Sequence, residues 1–453
     1  MKDIKLIKGK LKKRRNITIS ILVLFLITGK IGYGEKNIKN EIIVNNGVKI
    51  TQEEINIDNK GTIFSIGEEG VGISKRSSSY SPVIESIKNS GIISGTSTGN
   101  SKYSGNGILV ELYNYIGETK LGTTVNSGII SGVSTGNSNE SGNGIYVGAS
   151  LANPLISTIG AIKNNGVISG VSTGNSSDSG NGIISRFGSS NIGNIYNTGI
   201  ISGISAQSSV FSGRGIYSKA FSNSNSVAKI GNILNYGVIF GNRNAIEADA
   251  QNGSDYIGKI INKGLIIGGL GDNNNSASSG YAILADNLDD IQNDGIISGE
   301  NVGIAGVRNI NKILNNGIIK GNQLISTSVS ISNIPTNNGI LAGENLYINA
   351  PYILSSGIII RYNSNGNITD IVNGTGGEIT LENGNKKVVI NSQRYDENGY
   401  ETSNDSDAKD SYVSANGTNY ENNIINGAGI NKGALVIQAG TSISESIVNG
   451  YNT

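Results

Sequence analysis

The acidic side chains are the groups best able to do chemistry in this sequence, because it contains no His and no Cys. Those absences exclude Ser-His-Asp and Cys-His nucleophilic catalysis and the usual zinc ligands. A β-helix glycosidase or lyase can still act through carboxylates, Lys and Arg, and a glycosidase needs two carboxyl groups about 5 to 10 Å apart. Two candidate sets exist: Glu247 with Asp249, and Asp289 and Asp290 with Glu300. Isolated acids usually carry only solvated charge, so we assign no catalytic residue.

Two other stretches hold the oxygen-bearing side chains that bind calcium. The segment NDSDAKD (404–410) places Asp405, Asp407 and Asp410 in one loop, but it lacks the Gly and terminal Glu of an EF-hand. The segment GGLGDNNN (268–275) begins like the calcium-binding nonapeptide repeat, although its acid comes one place early and the motif does not recur. Because neither pattern is complete, the sequence predicts no bound metal and no cofactor.

A repeat in the sequence predicts the strands and turns that would position these acidic side chains. Its consensus is Ile-x-Asn-x-Gly-[Ile/Val/Leu]-[Ile/Leu]-x-Gly, and NSGIISG occurs unchanged at 89–95 and 126–132. Successive copies lie 22 to 38 residues apart, which is too irregular for a helical array but natural for a short coil with loops of varying length. The consensus Asn stands at positions 89, 126, 164, 197, 235, 262, 293, 315 and 337.

The shortest copy, NDGIISGENVGIAGVRNINKIL (293–314), contains three short apolar runs separated by Asn and Gly. Three strands in 22 residues make one rung of a parallel β-helix, in which rungs stack about 4.8 Å apart. The predicted fold is therefore all-β: a right-handed, three-sided parallel β-helix, or solenoid, with loop insertions. We expect Gly and Asn at its corners, because Gly tolerates positive φ and the Asn amide can bond the backbone or the next Asn. One buried aliphatic column is expected to be the whole core of so narrow a body, and its members are Ile93, Ile130, Ile168, Ile201, Ile239, Ile266, Ile297 and Ile319.

Four inserts of nine residues follow the closing Gly of successive repeats, and each precedes the sequence Gly-x-Gly-Ile. Equal inserts at one place in successive rungs must stack. We therefore expect a polar surface ridge of Ser, Thr, Asn and Gly along one corner, which the later repeats lack. The inserts occupy residues 96–104, 133–141, 171–179 and 204–212. The Tyr residues in or near them are candidates either for receptor contact or for packing under the loops: Tyr103, Tyr113, Tyr115 and Tyr146.

The two ends of the chain differ from the repeats. Residues 1–34 combine a basic start with the apolar run ITISILVLFLIT (17–28), which predicts a cleaved secretory signal peptide, with an uncleaved anchor as the alternative. The other boundaries follow from how closely each stretch keeps the repeat. They are 35–85 for an N-terminal cap and first rungs, 86–345 for the repeat β-helix, 346–390 for degenerate rungs, 391–423 for a polar loop or flexible segment, and 424–453 for a further, incomplete stretch of β-helix.

The charge after residue 34 argues against a nucleic-acid partner. The first 34 residues hold nine basic residues and one acid, which leaves 26 basic and 33 acidic residues and a net charge of −7. A nucleic-acid-binding protein needs a concentrated basic face, and no basic run follows residue 40. We therefore expect no nucleic acid among the partners.

A signal peptide followed by Asn-, Gly- and Ile-rich rungs resembles the passenger domains of bacterial autotransporters, the type V secretion proteins. Repeats such as NNGVISG (164–170) are most similar to those of the Asn- and Ile-rich fusobacterial autotransporters, and the resemblance covers residues 35–453. It implies display at the cell surface and outer membrane of a Gram-negative bacterium, or secretion. The implied partners are a host or bacterial surface glycan or protein, another copy by self-association, and an outer-membrane translocator barrel.

The family's C-terminal barrel would read as about a dozen segments of about ten alternating residues, and this pattern is not found before residue 453. We therefore expect either a longer gene product or a separate translocator. Taken with the resemblance, the sequence predicts a non-enzymatic adhesin or structural stalk. The alternative is a carbohydrate-active β-helix enzyme, either a polysaccharide lyase or a glycoside hydrolase.

Overall fold

The computed structural model describes most of the repeat region and short pieces beyond it. It covers 37–343 except 52–53, 114–116, 150–155, 175–176, 207–211, 222–225, 252, 270–279, 326–329 and 334. It also covers 354–355, 357–362, 368–373, 380–381, 388–389, 419–420, 424–428, 442–443 and 447–451. The predicted signal peptide and the acids of 404–410 lie outside the described residues.

All regular structure in the described residues is β-strand, and the strands wind into coils with three faces. Each coil adds one parallel strand to the first face, then the second, then the third. The first face is a separate 13-stranded sheet, whereas the other two form one 25-stranded sheet because long strands run across their shared corner. The chain is therefore an all-β, three-sided parallel β-helix with loop insertions. Within the described residues, no helix is long and apolar enough to cross a membrane.

The first face carries the second half of the repeat motif. Its strands pair in parallel from coil to coil until the last, which turns back antiparallel. They are Ile43–Asn45, Thr62–Gly67, Ile92–Ser97, Ile129–Ser134, Val167–Ser172, Ile200–Ser205, Val238–Gly241, Leu265–Gly268, Ile296–Gly299, Ile318–Lys320, Ile340–Gly343, Ile358–Tyr362 and Ile368–Asn373.

The second face begins after Gly-x-Gly-Ile in the coils that carry inserts. Its strands are Val48–Ile50, Ile73–Ser77, Ile108–Leu112, Ile145–Ala149, Ile183–Arg186, Ile216–Ala220, Ile246–Ala250, the first parts of Tyr281–Asn293 and Val302–Asn315, and Gln323–Ile325. The third face comprises Asn37–Asn40, Glu54–Asn59, Val83–Asn89, Glu118–Asn126, Ile156–Ile159, Ile162–Asn164, Ser189–Ile192, Ile195–Asn197, Val227–Ile230, Ile233–Asn235, Ser254–Ile257, Ile260–Asn262, the ends of the two long strands, Ser330–Ile331, Thr336–Asn337 and Leu354–Ser355.

A few strands lie outside these faces. Thr380–Leu381 pairs antiparallel with Val388–Val389. Two parallel pairs follow, Asn419–Tyr420 with Ser442–Ile443 and Ile424–Ala428 with Ile447–Tyr451.

The repeated Asn forms a buried ladder at the corner where the third face ends. The Asn89 amide nitrogen lies 2.8 Å from Asn126 Oδ1, 3.1 Å from its own coil's Gly91 carbonyl and 3.0 Å from the Ile129 carbonyl of the next coil. Each such amide thus adds a side-chain donor at the corner, where the Gly91 carbonyl also accepts from the Ile129 backbone amide at 2.9 Å. Ten side-chain bonds of 2.7–2.8 Å link eleven Asn residues from Asn40 to Asn337.

The ladder therefore starts two coils earlier than the consensus indicates. Asn40 and Asn59 were missed because the consensus demands Gly and two aliphatic residues after the Asn, whereas Asn59 is followed by Lys-Gly-Thr and Asn40 by Glu-Ile-Ile. The ladder requires only an Asn side-chain amide at this position and a backbone that can turn after it.

The predicted Ile column is confirmed, and it is one of several. Every predicted member is fully buried, and consecutive members pair directly across coils. Parallel columns from the other two faces meet it inside the coil. Ile108 and Ile145 belong to the second-face column, and Ile195 and Ile233 to the third-face column. The prediction of a single column as the whole core was incomplete.

The expectation of positive φ at the motif glycines was wrong. The glycine after the ladder Asn is required because a Cβ on Gly128 would lie 2.0 Å from the carbonyl oxygen of Gly91 in the preceding coil. Positive φ occurs instead at the first glycine of Gly-x-Gly-Ile, with 67° at Gly105 and 64° at Gly142. The motif glycine thus permits close stacking, and the later glycine permits the turn out of the insert.

Candidate functional site

The inserts cover the outer side of the second face. In Ile108–Leu112 and Ile145–Ala149 every residue is buried, although alternate residues must point away from the core. In Ile246–Ala250, which follows a short connection, the last two residues are partly exposed. The outward-facing side chains of the insert-bearing coils are therefore buried by the inserts themselves.

Backbone bonds between successive inserts hold them in a stack. The Thr135 amide donates to the Ser97 carbonyl at 3.0 Å, and the Thr173 amide donates to the Ser134 carbonyl at 2.9 Å. Further along the insert, the Asn137 amide donates to Asn100 Oδ1 at 2.8 Å. The predicted stacking of the inserts is confirmed for their described residues.

The eighth residue of the first three inserts turns the chain inward. Tyr103, Glu140 and Asp178 all have positive φ, of 64°, 61° and 54°. This conformation is uncommon for residues other than Gly, Asn and Asp and persists only where surroundings impose it. Its effect is to direct three side chains of very different chemistry to the same place above the second face.

The expectation that the inserts form a polar surface ridge is correct for only part of each insert. Their first half is outward: Thr98, Thr135 and Thr173 are exposed, as are Asn100 and Asn137. Most of their second half is buried against the second face, because the turn at the eighth residue folds it under, whereas the seventh residue, Lys102 or Asn139, stays exposed. The buried residues include Tyr103, Ser104, Ser138, Glu140, Ser141, Asp178 and Ser179.

Beneath the inserts lies a group of side chains that we name the covered cluster. Its apolar part is a separate small core in which Tyr103 and Tyr146 meet edge to face, with ring centroids 5.4 Å apart. Its polar part consists of acids and bases, almost all of them buried. The members of the covered cluster are Tyr103, Leu109, Glu111, Glu140, Tyr146, Asp178, Ile184, Arg186, Arg214, Tyr217, Lys219, Glu247 and Asp249.

The acids that the inserts supply pair with bases of the second face. Arg186 contacts Glu140 closely, and its Nη2 lies 3.0 Å from Asp178 Oδ2. Lys219 Nζ lies 3.4 Å from Asp178 Oδ1. Because each insert acid meets a base from a later coil, the ion pairs tie neighbouring coils together.

A second set of pairs closes the cluster towards the bare coils. Arg214 donates two hydrogen bonds to Glu247. Its Nη2 lies 2.8 Å from Oε1, and its Nε contacts Oε2. The Asn244 amide also donates to Glu247 Oε2 at 2.6 Å, and the Arg214 guanidinium lies 4.1 Å from the centre of the Tyr217 ring. This bidentate, stacked arrangement suits Arg and could not be reproduced by Lys.

Burial dominates the protonation behaviour of the covered cluster. Desolvation raises the pKa of the Asp178 carboxyl, although Lys219 and Arg214 oppose the shift. The same cause lowers the pKa of Lys219 to about 8 and that of Arg186 to about 10. Removal of one partner would therefore leave a charge in a poorly solvated site, which is far more costly than loss of a surface ion pair.

The predicted carboxylate pair Glu247 and Asp249 lies within this cluster. Both side chains point outward from one strand, two residues apart, so the structure brings them to the same side. Both oxygens of Glu247 are already engaged, by Arg214 and Asn244. Asp249 accepts a hydrogen bond from the Tyr217 hydroxyl at 3.2 Å, and burial raises its pKa. The pair has the geometry of an ion network, and its Glu is saturated by protein groups.

The second predicted set of acids is not assembled. Asp289 and Asp290 lie on the third-face part of their strand, where Asn311 donates to Asp290 Oδ1 at 2.7 Å. Glu300 is exposed in the connection between the first and second faces of the following coil. The three carboxyl groups therefore do not face one groove.

The other candidates have mixed outcomes. Tyr103 and Tyr146 pack under the inserts, Tyr113 is 36% exposed, and Tyr115 lies outside the described residues. Of the calcium-like segments, 404–410 and 270–275 also lie outside them. In the part of the chain that the structure describes, no group of three His, Cys, Asp or Glu is placed to hold a metal ion.

Sequence reasoning missed the covered cluster, although two signals were present. The eighth insert residue changes from Tyr103 to Glu140 to Asp178 while its neighbours stay small and polar. The strands that begin at the Ile of Gly-x-Gly-Ile often carry a charge at their fourth residue, as in Glu111, Arg186 and Lys219. Comparison with protein families, curated sequences and solved structures finds no match to this chain.

Proposed function

We propose that the chain is an exported passenger that acts as an adhesin or structural stalk and has no enzymatic activity. The observation that carries the proposal is the insert stack: its outer half is exposed and repeated, while its inner half is pinned by buried ion pairs. A surface loop without a binding role would not need this anchoring. Export to the surface of a Gram-negative cell rests on the N-terminal sequence and on the autotransporter resemblance, which also imply a translocator barrel.

The body beneath the inserts has the mechanical properties of a stalk. Ten linked intervals of the Asn ladder correspond to a rod of roughly 50 Å at about 4.8 Å per coil. Every coil is bonded to its neighbours along three faces and through the ladder, so bending requires many bonds to break together. A surface carried on this rod keeps its spacing.

The exposed half of the insert stack suits a repetitive hydrogen-bonding partner. Thr98, Thr135 and Thr173 occupy equivalent places in successive coils, and Asn100 and Asn137 form a parallel row. Hydroxyl and amide groups can both donate and accept, as sugar hydroxyls do. Rows of weak sites on a rigid support raise avidity by about 10² to 10⁴ when the ligand repeats as well. A surface glycan or a repetitive surface protein has this property.

A carbohydrate-active enzyme is the second candidate, and only the Glu247 and Asp249 pair favours it. These acids share one side of a strand, and Asp249 has a raised pKa suited to a proton donor. However, both carboxylate oxygens of Glu247 are bonded to Arg214 or Asn244, so Glu247 is not available as the base or nucleophile of this pair. We therefore favour binding over catalysis.

The test is display of the chain on a non-adherent bacterium, followed by measurement of cell aggregation and attachment to host cells. Thr98→Lys, Thr135→Lys and Thr173→Lys together change the outer row and leave the covered cluster intact. We expect this triple variant to lose most of the attachment conferred by the wild-type chain.

A matched control changes three exposed polar residues on another corner: Ser127→Lys, Asn165→Lys and Thr198→Lys. It should attach as the wild type does. Equal attachment by both triple variants would contradict the role of the insert stack. Release of reducing or unsaturated sugar ends from polysaccharides, lost in Asp249→Asn, would establish the enzyme instead.

A further inference from the structure

The outer surface of the first face is uncharged over eight consecutive coils. The strands from Thr62–Gly67 to Ile296–Gly299 contain no Asp, Glu, Lys or Arg. Their outward residues are aliphatic at the edges and mostly Ser in the middle, as in Ile129, Ser131 and Val133. We call the outward residues of these eight strands the first-face surface.

Large aliphatic side chains stand exposed in rows on this surface. Ile92, Ile129 and Ile200 are 38%, 40% and 43% exposed and lie in one row, since each pairs with the same position of the neighbouring coil. A second row includes Ile66 at 65% and Ile204 at 41%. An isolated exposed Ile is ordinary, but aligned rows make a continuous apolar patch of the kind that marks an interface.

The outer surfaces of the second and third faces differ from that of the first face. The second face is covered by the inserts where they occur, and the third face exposes lysines such as Lys88, Lys163 and Lys229. Parallel sheets are generally covered on both sides, because their strands are apolar on both sides. Within the part of the chain that the structure describes, nothing covers the first-face surface, and its strands carry no charge.

The size of the surface matches what a stable protein interface needs. Eight strands at about 4.8 Å, each about five residues wide at 3.3 Å per residue, give a flat area on the order of 600 Å². Exposed aliphatics in the preceding coil, such as Ile43, extend it towards the roughly 800 Å² per partner of a standard interface.

We propose that the first-face surface binds the same surface of a second copy of this chain, so that two rods pack face to face. Two sheets pack about 10 Å apart when their side chains interdigitate, and the regular rows present the same spacing on both partners. A two-fold axis would make the contact self-complementary. Because the eight strands carry no charge, no like charges meet where the strands of one rod lie over those of the other. Dimerisation of this kind does not depend on the adhesin role of the inserts.

Sedimentation equilibrium of the chain without residues 1–34 tests the proposal. The wild type should show a concentration-dependent dimer. Ile129→Lys with Ile200→Lys places four like charges in the contact, which should raise the dimer dissociation constant by about 100-fold or more. Ile156→Lys is the matched control, because Ile156 is 50% exposed but lies on the third face, and it should dimerise as the wild type does.

A second measurement avoids dependence on the folding of the lysine variant. The chain has no Cys, so Ser169→Cys places a single thiol near the middle of the first-face surface, and Lys163→Cys places one on the third face. With a short bis-maleimide, whose arm spans two sheets about 10 Å apart, Ser169→Cys should form crosslinked dimers and Lys163→Cys should not. A monomeric wild type at high micromolar concentration, or equal crosslinking of both thiols, would overturn the proposal. Binding of the monomer to lipid vesicles would assign the surface to a membrane instead.

Discussion

The coils that carry inserts and the coils that lack them share one interior but differ on the outside of the second face. Between residues 92 and 220, as between 238 and 343, the ladder Asn and the buried Ile recur in register. Only the first region buries Glu140, Asp178 and Arg186 outside that interior. The repeat motif is thus sufficient for the solenoid, whereas the inserts build a second buried layer from charges.

The difference shows that burial of charge follows from the cover that lies over an ion pair and not from pairing itself, because pairs form in both regions. In the bare region, Arg308 is 62% exposed although its nitrogen lies 3.2 Å from Asp286. In the insert region, Arg214 is 1% exposed and its carboxylate partner 4% exposed. The arginine of the Arg308–Asp286 pair is therefore open to solvent, whereas both members of the Arg214–Glu247 pair are shielded from it.

The largest expected effect probes what the two regions share. Ile168→Asp and Ile297→Asp each bury an unpaired carboxylate in the first-face column, which should cost roughly 4 kcal/mol or more. Urea unfolding followed by circular dichroism measures the loss. A small loss at one of the two sites would mean that the interiors are not equivalent.

The next effect separates the regions. Glu247→Ala removes the bidentate partner of buried Arg214 and should destabilise the fold by about 3 to 5 kcal/mol. Arg308→Ala removes the 62% exposed member of the pair with Asp286 and should cost less than about 1 kcal/mol. The same denaturation experiment compares them, and equal losses would refute the distinction between sealed and solvated pairs.

The ladder should respond alike in both regions and less strongly. Asn164→Ala and Asn315→Ala each remove a buried amide that donates to the next ladder Asn and to a backbone carbonyl of the next coil, at a cost of about 1 to 3 kcal/mol. The exposed Asn165→Ala, one residue further on, is the control. If Asn165→Ala were as destabilising as Asn164→Ala, the ladder would not be the stabilising element.

The smallest effect concerns pH and a group at the start of the bare region. Burial raises the pKa of Asp255 to about 7, against a backbone bond from Asp286 that lowers it. The folded state then keeps a proton that the unfolded state loses, so the contribution of Asp255 to stability falls as pH rises from about 4 to 7. Asp255→Asn should stabilise the fold relative to the wild type at pH 8 and have little effect near pH 4. An unchanged difference across that range, in thermal melts, would contradict the shift.

The sequence was sufficient to predict the solenoid because each rung repeats the same requirement. Ile130 and Ile168 must face inward and Gly128 must approach Gly91, and both conditions leave a visible period. The covered cluster leaves no period, because Tyr103, Glu140 and Asp178 share a backbone conformation and not a chemistry. Their partners are also distant in sequence, and pairing between an insert and a later coil becomes visible only when both are placed.

The ordering of the inserts is the central claim, and hydrogen exchange followed by mass spectrometry tests it most directly. In the segment 133–141 the amides of Thr135, Asn137 and Glu140 are bonded to neighbouring inserts, so they should exchange over hours, as the adjoining strand Ile129–Ser134 does. Exchange of these amides within seconds, while the strand stays protected, would show that the inserts are free loops and would contradict the account.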